Sequence, residues 1–242
     1  MSKTSDSPNL AEAIEHMREK YRGEREKRLR PEGIEQFVEV KGKFAHFGDD
    51  PFTKELVERE ATQDEVEVVL IGGGFWGLLS AARLSEAGFN DICVIEEGAD
   101  FGGTWYWNRY PGAQCDIESY VYLPLLEELD YMPTEKYARA NEIFGHSQAI
   151  GRHYELYEQA LFQTKMVDAI WDAEEGIWQV KTDRGDKIKA QYLILATGML
   201  TKPKLPGIAG IENFKGHMFH TSRWDYEYTG GSNVEALAGL KD

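Results

Sequence analysis

The chain has 242 residues, 42% of them hydrophobic, enough for a sizeable core and one or two domains. Its net charge of −15 argues against a nucleic-acid partner and otherwise speaks mainly for solubility. The two cysteines form neither a disulfide framework nor a metal-ligand spacing, residues 1–9 show no signal peptide, and the longest apolar stretches are strand-length. The expectation is a cytoplasmic chain with no membrane contact.

Residues 1–62 read as a mostly helical extension. Leu10, Ile14, Met17 and Tyr21 fall on one helical face, expected to pack on the body, and a basic cluster from Arg22 to Arg30 follows. Residues 42–51 read as a loop. Residues 66–71 are β-rich, as a buried parallel strand should be, and run into Gly72-Gly73-Gly74-Phe75-Trp76-Gly77, which fits G-x-G-x-x-G. Leu78, Leu79, Ala81, Ala82 and Leu84 give a helical pattern that Gly88 is placed to stop. A second strand, residues 92–95, closes with Glu96, about 20 residues beyond Gly77, the separation expected of a carboxylate that binds ribose hydroxyls.

This β-turn-α-β unit has the parts that grip a dinucleotide. Gly72 allows the tight turn, Gly74 lets backbone approach the diphosphate, and Gly77 lets the helix pack on the strand. The helix aims its N-terminal N–H groups and positive dipole end at the phosphates.

The next segment, Gly102-Gly103-Thr104-Trp105-Tyr106-Trp107-Asn108-Arg109-Tyr110-Pro111-Gly112-Ala113-Gln114-Cys115-Asp116, follows the second strand and so lies over the dinucleotide. Trp105, Trp107 and Tyr110 could wall a flat ring system, with Asp116 a tunable carboxylate in a largely apolar wall. An aromatic mini-core with Asp116 as a turn residue is the alternative. Residues 147–163 then look helical. Short strands follow at 166–171, 177–182 and 187–190, forming a small β-meander. A buried-type strand at 192–196 ends in Ala196-Thr197-Gly198. From Thr201 the chain reads as a linker. His217 and His220 are three residues apart with no third ligand in view, so no metal site is expected.

The stretch from Gly102 to Asp116 resembles the flavin loop of Baeyer–Villiger monooxygenases. Phe214, Gly216, His220, Trp224 and Asp225 fit that family's fingerprint, F-x-G-x-x-x-H-x-x-x-W followed by Pro or Asp. Ala196-Thr197-Gly198 resembles the strand-end motif of two-dinucleotide flavoproteins.

The resemblance implies an α/β, Rossmann-like FAD-binding fold of that type, over residues 63–200, with residues 201–242 a linker towards an absent NADPH-binding domain. It implies FAD held by Gly72, Gly74, Phe75, Trp76, Gly77, Glu96, Gly103, Thr104, Trp105, Ala196, Thr197 and Gly198. Asp116 would help set charge near the flavin, and His220 and Trp224 would couple NADPH binding to domain movement. A histidine satisfied within the linker is an alternative for His220. The implied reaction inserts one oxygen of O2 into a ketone, giving an ester or lactone at NADPH's expense. Oxygenation of nitrogen or sulfur, or a non-catalytic flavin-binding module, are the alternatives. No second G-x-G-x-x-G is present, so the expectation is a truncated or split enzyme. It would be inactive alone and expose apolar surface, with a second chain carrying the NADPH domain as a candidate partner.

Overall fold

The computed structural model describes residues 10–53, 55–234 and 238–241. In chain order the elements are helix α1 (Leu10–Arg28), strand β1 (Phe37–Glu39), β2 (Gln63–Ile71), α2 (Phe75–Glu86), β3 (Ile92–Ile95), α3 (Thr104–Trp107), α4 (Ser119–Tyr122), α5 (Ala140–His153), β4 (Ala160–Leu161), β5 (Met166–Asp172), β6 (Ile177–Thr182), β7 (Lys187–Leu195), β8 (Lys204–Pro206) and α6 (Tyr226–Thr229). They fall into two compact units. One joins the described residues up to Glu39 with Lys204–Lys215; the other comprises Val40–Pro203 and Gly216 onwards.

In the smaller unit β1 and β8 pair antiparallel, Val38 opposite Leu205, inside the segment that reads as linker. Three residues of ladder suffice because Gly207 N–H also donates to the Gln36 carbonyl at 2.7 Å. Helix α1 buries no residue, and its stripe of Leu10, Ile14, Met17 and Tyr21 is exposed.

The larger unit is built on a six-stranded sheet, ordered β4-β3-β2-β7-β6-β5. The apolar run at the end of β2 is buried on both faces, as a central parallel strand requires. It pairs parallel with β3 on one side and β7 on the other. The two strands expected at 187–190 and 192–196 are one. The nine-residue β2 offers β7 a continuous partner from Gln63↔Lys187 to Ile71↔Leu195, so nothing breaks it. Its first half also pairs antiparallel with β6, and β6 with β5, giving the meander.

Gly88 ends α2 as expected. At φ +93° it makes the paired bonds of a left-handed helix stop, Phe89 N–H to the Leu84 carbonyl and Gly88 N–H to that of Ser85. The helix expected at 147–163 lies instead at Ala140–His153. Glu155 turns left-handed (φ +54°), and Ala160–Leu161 leaves the helical path to pair with Val94–Ile95 at the sheet edge. Edge pairing and burial beat the local helical pattern there. The segment at 42–51 is largely the 3-10 turn Gly42–Gly48 rather than open loop.

Beside α2, on the same sheet face, lies an apolar concavity of about 840 Å³ lined by Val68, Leu84, Phe89, Trp171, Trp178 and Tyr192 among others. No helix among the described residues is long and apolar enough to cross a membrane.

Candidate functional site

The β2–α2 turn, the end of β3, the start of α3 and the end of β7 meet at the carboxyl edge of the parallel strands. They enclose a crevice of about 350 Å³. It is smaller than the apolar concavity beside α2, but it is where backbone amides, a carboxylate and hydroxyls converge, so it is the candidate site.

Close approach of backbone makes this crevice. Gly72 sits at φ +110°, and a Cβ there would lie 2.5 Å from the Ala196 carbonyl oxygen. A Cβ on Gly77 would lie 1.9 Å from the Gly72 oxygen, so the first turn of α2 rests directly on the β2 turn. Across the gap, a Cβ on Gly103 would come within 2.7 Å of the Gly74 Cα. The bond from Gly102 N–H to the Gly73 carbonyl, 2.9 Å, fixes the two loops side by side. Only unsubstituted backbone fits where these loops pass.

Glu96 lines the crevice from the end of β3 and is 5% exposed. Its Oε2 accepts from Gly73 N–H at 2.5 Å and its Oε1 from Gly98 N–H at 2.6 Å. Burial pushes its pKa up, and the two amide donors oppose that shift. Each carboxylate oxygen spends one lone pair on backbone and keeps another. Two hydroxyls of a ligand could therefore still be held.

The crevice brings together Gly72, Gly74, Phe75, Trp76, Glu96, Gly103, Thr104, Trp105, Ala196, Thr197 and Gly198. Gly77 is not in its lining; it packs behind, against Gly72. Trp105 is held by its Nε1–H, which donates to the Tyr122 hydroxyl at 2.9 Å, and Phe75 packs edge-on against the same tyrosine.

Trp107 and Tyr110 do not wall the crevice. One residue of helix turns a side chain by about 100°, so Trp107, two positions after Trp105, faces away and lies under Arg223. Asp116 is exposed rather than set in an apolar wall. Gln114 bridges to Arg139 and Cys115 N–H donates to the Ala138 carbonyl. That pinning turns Cys115 inward and leaves Asp116 outward.

His220 and Trp224 also lie outside the lining. His220 is partly buried, and its Nδ1 accepts from Ser222 N–H at 3.1 Å and contacts Ser222 Oγ at 2.8 Å, both two residues along the chain. Burial and the nearby Arg223 lower its pKa. Trp224 donates from Nε1 to Thr229 Oγ1 at 2.9 Å and packs edge-on against Phe219. His217 pairs with Asp225 at 2.8 Å and stacks on Tyr228.

Tyr122, Leu195 and Thr201 line the crevice without having been singled out. Leu195 could have been found as the neighbour of the Ala196-Thr197-Gly198 motif. Tyr122 arrives on a four-residue helix that no periodicity announces.

The architecture and crevice are those of a dinucleotide-binding flavoprotein fold. Residues 69–233 match the family model for pyridine nucleotide-disulphide oxidoreductase, and the chain belongs to that family. Within it, the chain is similar to Baeyer–Villiger monooxygenases. It is 52% identical over 230 residues to neopentalenolactone D synthase of Streptomyces avermitilis, covering 95% of this chain and 39% of that protein. It is 51% identical over 231 residues to a Baeyer–Villiger monooxygenase of Streptomyces coelicolor, covering 96% and 38%. The solved polycyclic ketone monooxygenase of Thermothelomyces thermophila superposes with a TM-score of 0.82 at 38% identity, over 92% of this chain and 38% of that one. The chain thus spans under two fifths of these relatives' length.

Proposed function

We propose that this chain supplies the FAD-holding part of an NADPH-dependent Baeyer–Villiger monooxygenase. The observation that carries the reading is the glycine-built crevice with Glu96 at its base. The residues fit FAD by shape and by donor set: a cradle where a Cβ on Gly72, Gly77 or Gly103 would meet backbone, helix-terminal amides for a diphosphate, and a carboxylate with free lone pairs for ribose hydroxyls.

Bound FAD would supply hydride acceptance from NADPH and the activation of O2. The chain's own residues bind and orient. Backbone N–H groups at Gly74–Gly77, with the dipole of α2, would hold the diphosphate, and Glu96 the ribose. Gly103, Thr104 and Trp105 would form one wall, and Ala196, Thr197 and Gly198 the other. Trp105, fixed by Tyr122, would exclude water from that side. The exposed Asp116 is available to groups from outside these residues. His220 and Trp224 act at a distance, through the segment they hold together. NADPH, the ketone and O2 would meet the flavin with the help of protein beyond this chain.

Titration of the purified protein with FAD, read by the visible flavin band, tests the binding half. A shifted, one-to-one band is expected, and free-flavin spectra throughout would overturn the reading. Product analysis with the full-length protein carrying this chain, NADPH, O2 and a panel of ketones tests the chemistry. Esters or lactones are expected. N-oxides or sulfoxides from amine or sulfide substrates, with no ester from any ketone, would move the assignment to another class of flavin monooxygenase.

A further inference from the structure

Arg223 fills a position the fingerprint leaves unspecified, yet it is buried to 7% exposure at the end of the 3-10 turn Thr221–Arg223. Its guanidinium lies 3.8 Å from the centroid of the Trp107 ring. Its Nε–H donates to the Asp49 carbonyl at 3.2 Å and its Nη2–H to the Thr201 carbonyl at 3.0 Å. Its Nη1–H groups reach the Ser222 carbonyl at 3.0 Å and Ser222 Oγ at 3.2 Å. No carboxylate among the described residues pairs with it. A buried cation with no hydrogen-bonded carboxylate is costly, and the nearby Asp50 and Glu97 charges only partly offset its burial, so hydrogen-bond geometry has to account for the rest. A planar fork with five donors can grip carbonyls of separate chain segments at once, which an ammonium cannot.

The segments it grips matter. Thr201 lies in the crevice lining, just beyond Ala196-Thr197-Gly198. Trp107 ends α3, whose Thr104 and Trp105 line the crevice from the other loop. Ser222 Oγ touches both the Arg223 Nη1 and the His220 Nδ1. An unbroken chain of contacts therefore runs from His220 through Ser222 and Arg223 to both walls.

We propose that Arg223 is a positioning residue for the flavin site, clasping the His220-bearing segment to Thr201 and to α3 and so setting the spacing of the two crevice walls. This rests on the FAD assignment above. It gives His220 a route to the cofactor that contact does not.

The test uses the full-length protein carrying this chain, with Arg223→Met, Arg223→Lys and Ser222→Ala. FAD affinity is measured by titration of the apo-protein, the flavin environment by visible-region circular dichroism, and folding by thermal melts. Asp186→Asn, at a buried ion pair away from the crevice, is the control for loss of stability alone. Arg223→Met should weaken FAD binding by about tenfold or more, because the crevice walls lose the clasp that spaces them, and should change the flavin dichroism. Arg223→Lys should fall between it and wild type, because one ammonium replaces the fork. Ser222→Ala should move the dichroism the same way by less. Arg223→Met with wild-type affinity and dichroism would overturn the proposal. So would an Asp186→Asn protein that reproduces both changes at an equal drop in melting temperature. A wild-type protein that binds no FAD would overturn the FAD reading and this proposal together, an outcome visible in the wild-type arm alone.

Discussion

Replacing Gly77 by alanine sets two known effects against each other. In an ordinary helix interior alanine is favoured over glycine by about 1 kcal/mol. At Gly77 the added Cβ would sit 1.9 Å from the Gly72 carbonyl oxygen, where anything under 3.0 Å forces a shift, and the obstacle is backbone. The first turn of α2 would have to retreat by roughly 1 Å, and such forced shifts cost about 1–3 kcal/mol. The clash outweighs the helix preference by up to about 2 kcal/mol net, which for a chain of this size lowers the melting temperature by up to about 8 °C. The same retreat draws the helix-terminal amides away from the crevice, so FAD affinity should fall by about tenfold, the equivalent of about 1.4 kcal/mol. Gly145 supplies the internal control. It lies within α5, and a Cβ there meets nothing within 4 Å. Gly145→Ala should therefore stabilise by about 0.5–1 kcal/mol. Thermal melts of both variants, with an FAD titration of each, decide the matter. A Gly77→Ala protein that melts at or above wild type with unchanged FAD affinity would refute the packing argument.

Glu96→Gln should weaken FAD binding by about tenfold, because the side-chain amide nitrogen cannot accept from Gly73 or Gly98 and a buried donor is left unpaired at a cost of about 1–3 kcal/mol; equal affinity in the same titration would count against it. Asp186 is fully buried, accepts from both Arg59 Nη groups at 2.6 and 2.7 Å and from Thr62 N–H, so Asp186→Ala should cost about 3–5 kcal/mol in denaturant unfolding. Burial lowers the pKa of both His146 and His220 below their ordinary 6.5, so each is held neutral in the fold. The unfolded chain then binds more protons, and stability should be full above about pH 6.5 and decline as pH falls through the lowered values; melts that rise on acidification from pH 7 to pH 5 would contradict this. Burial, aided by nearby acids such as Asp64, pushes the Cys93 thiol up to about 12, so alkylation at pH 8 should proceed only after unfolding, as mass spectrometry would show.

The β2–α2–β3 unit was legible in the sequence because each part of it is a local demand. A glycine that must sit at positive φ, a helix stopped at Gly88 and an acid closing a strand all act within 31 residues, 66–96, and the chain cannot meet them with other residue types. The crevice members near those motifs, from Gly72 to Gly103 and from Ala196 to Gly198, follow from the same logic. The family resemblance supplied the expectation of FAD in particular, which spacing alone did not.

What the tertiary structure decided is everything set by distant partners. Ala160–Leu161 is strand rather than helix because β3 has a free edge, and β7 is unbroken because β2 is long enough to pair with all of it. Asp116 faces outward because residues 114–115 are pinned to 138–139, and Trp107 faces Arg223 because α3 turns it there. Local sequence carries conformational preference, whereas the direction a side chain takes depends on which remote backbone or ring it meets, and only folding brings those together.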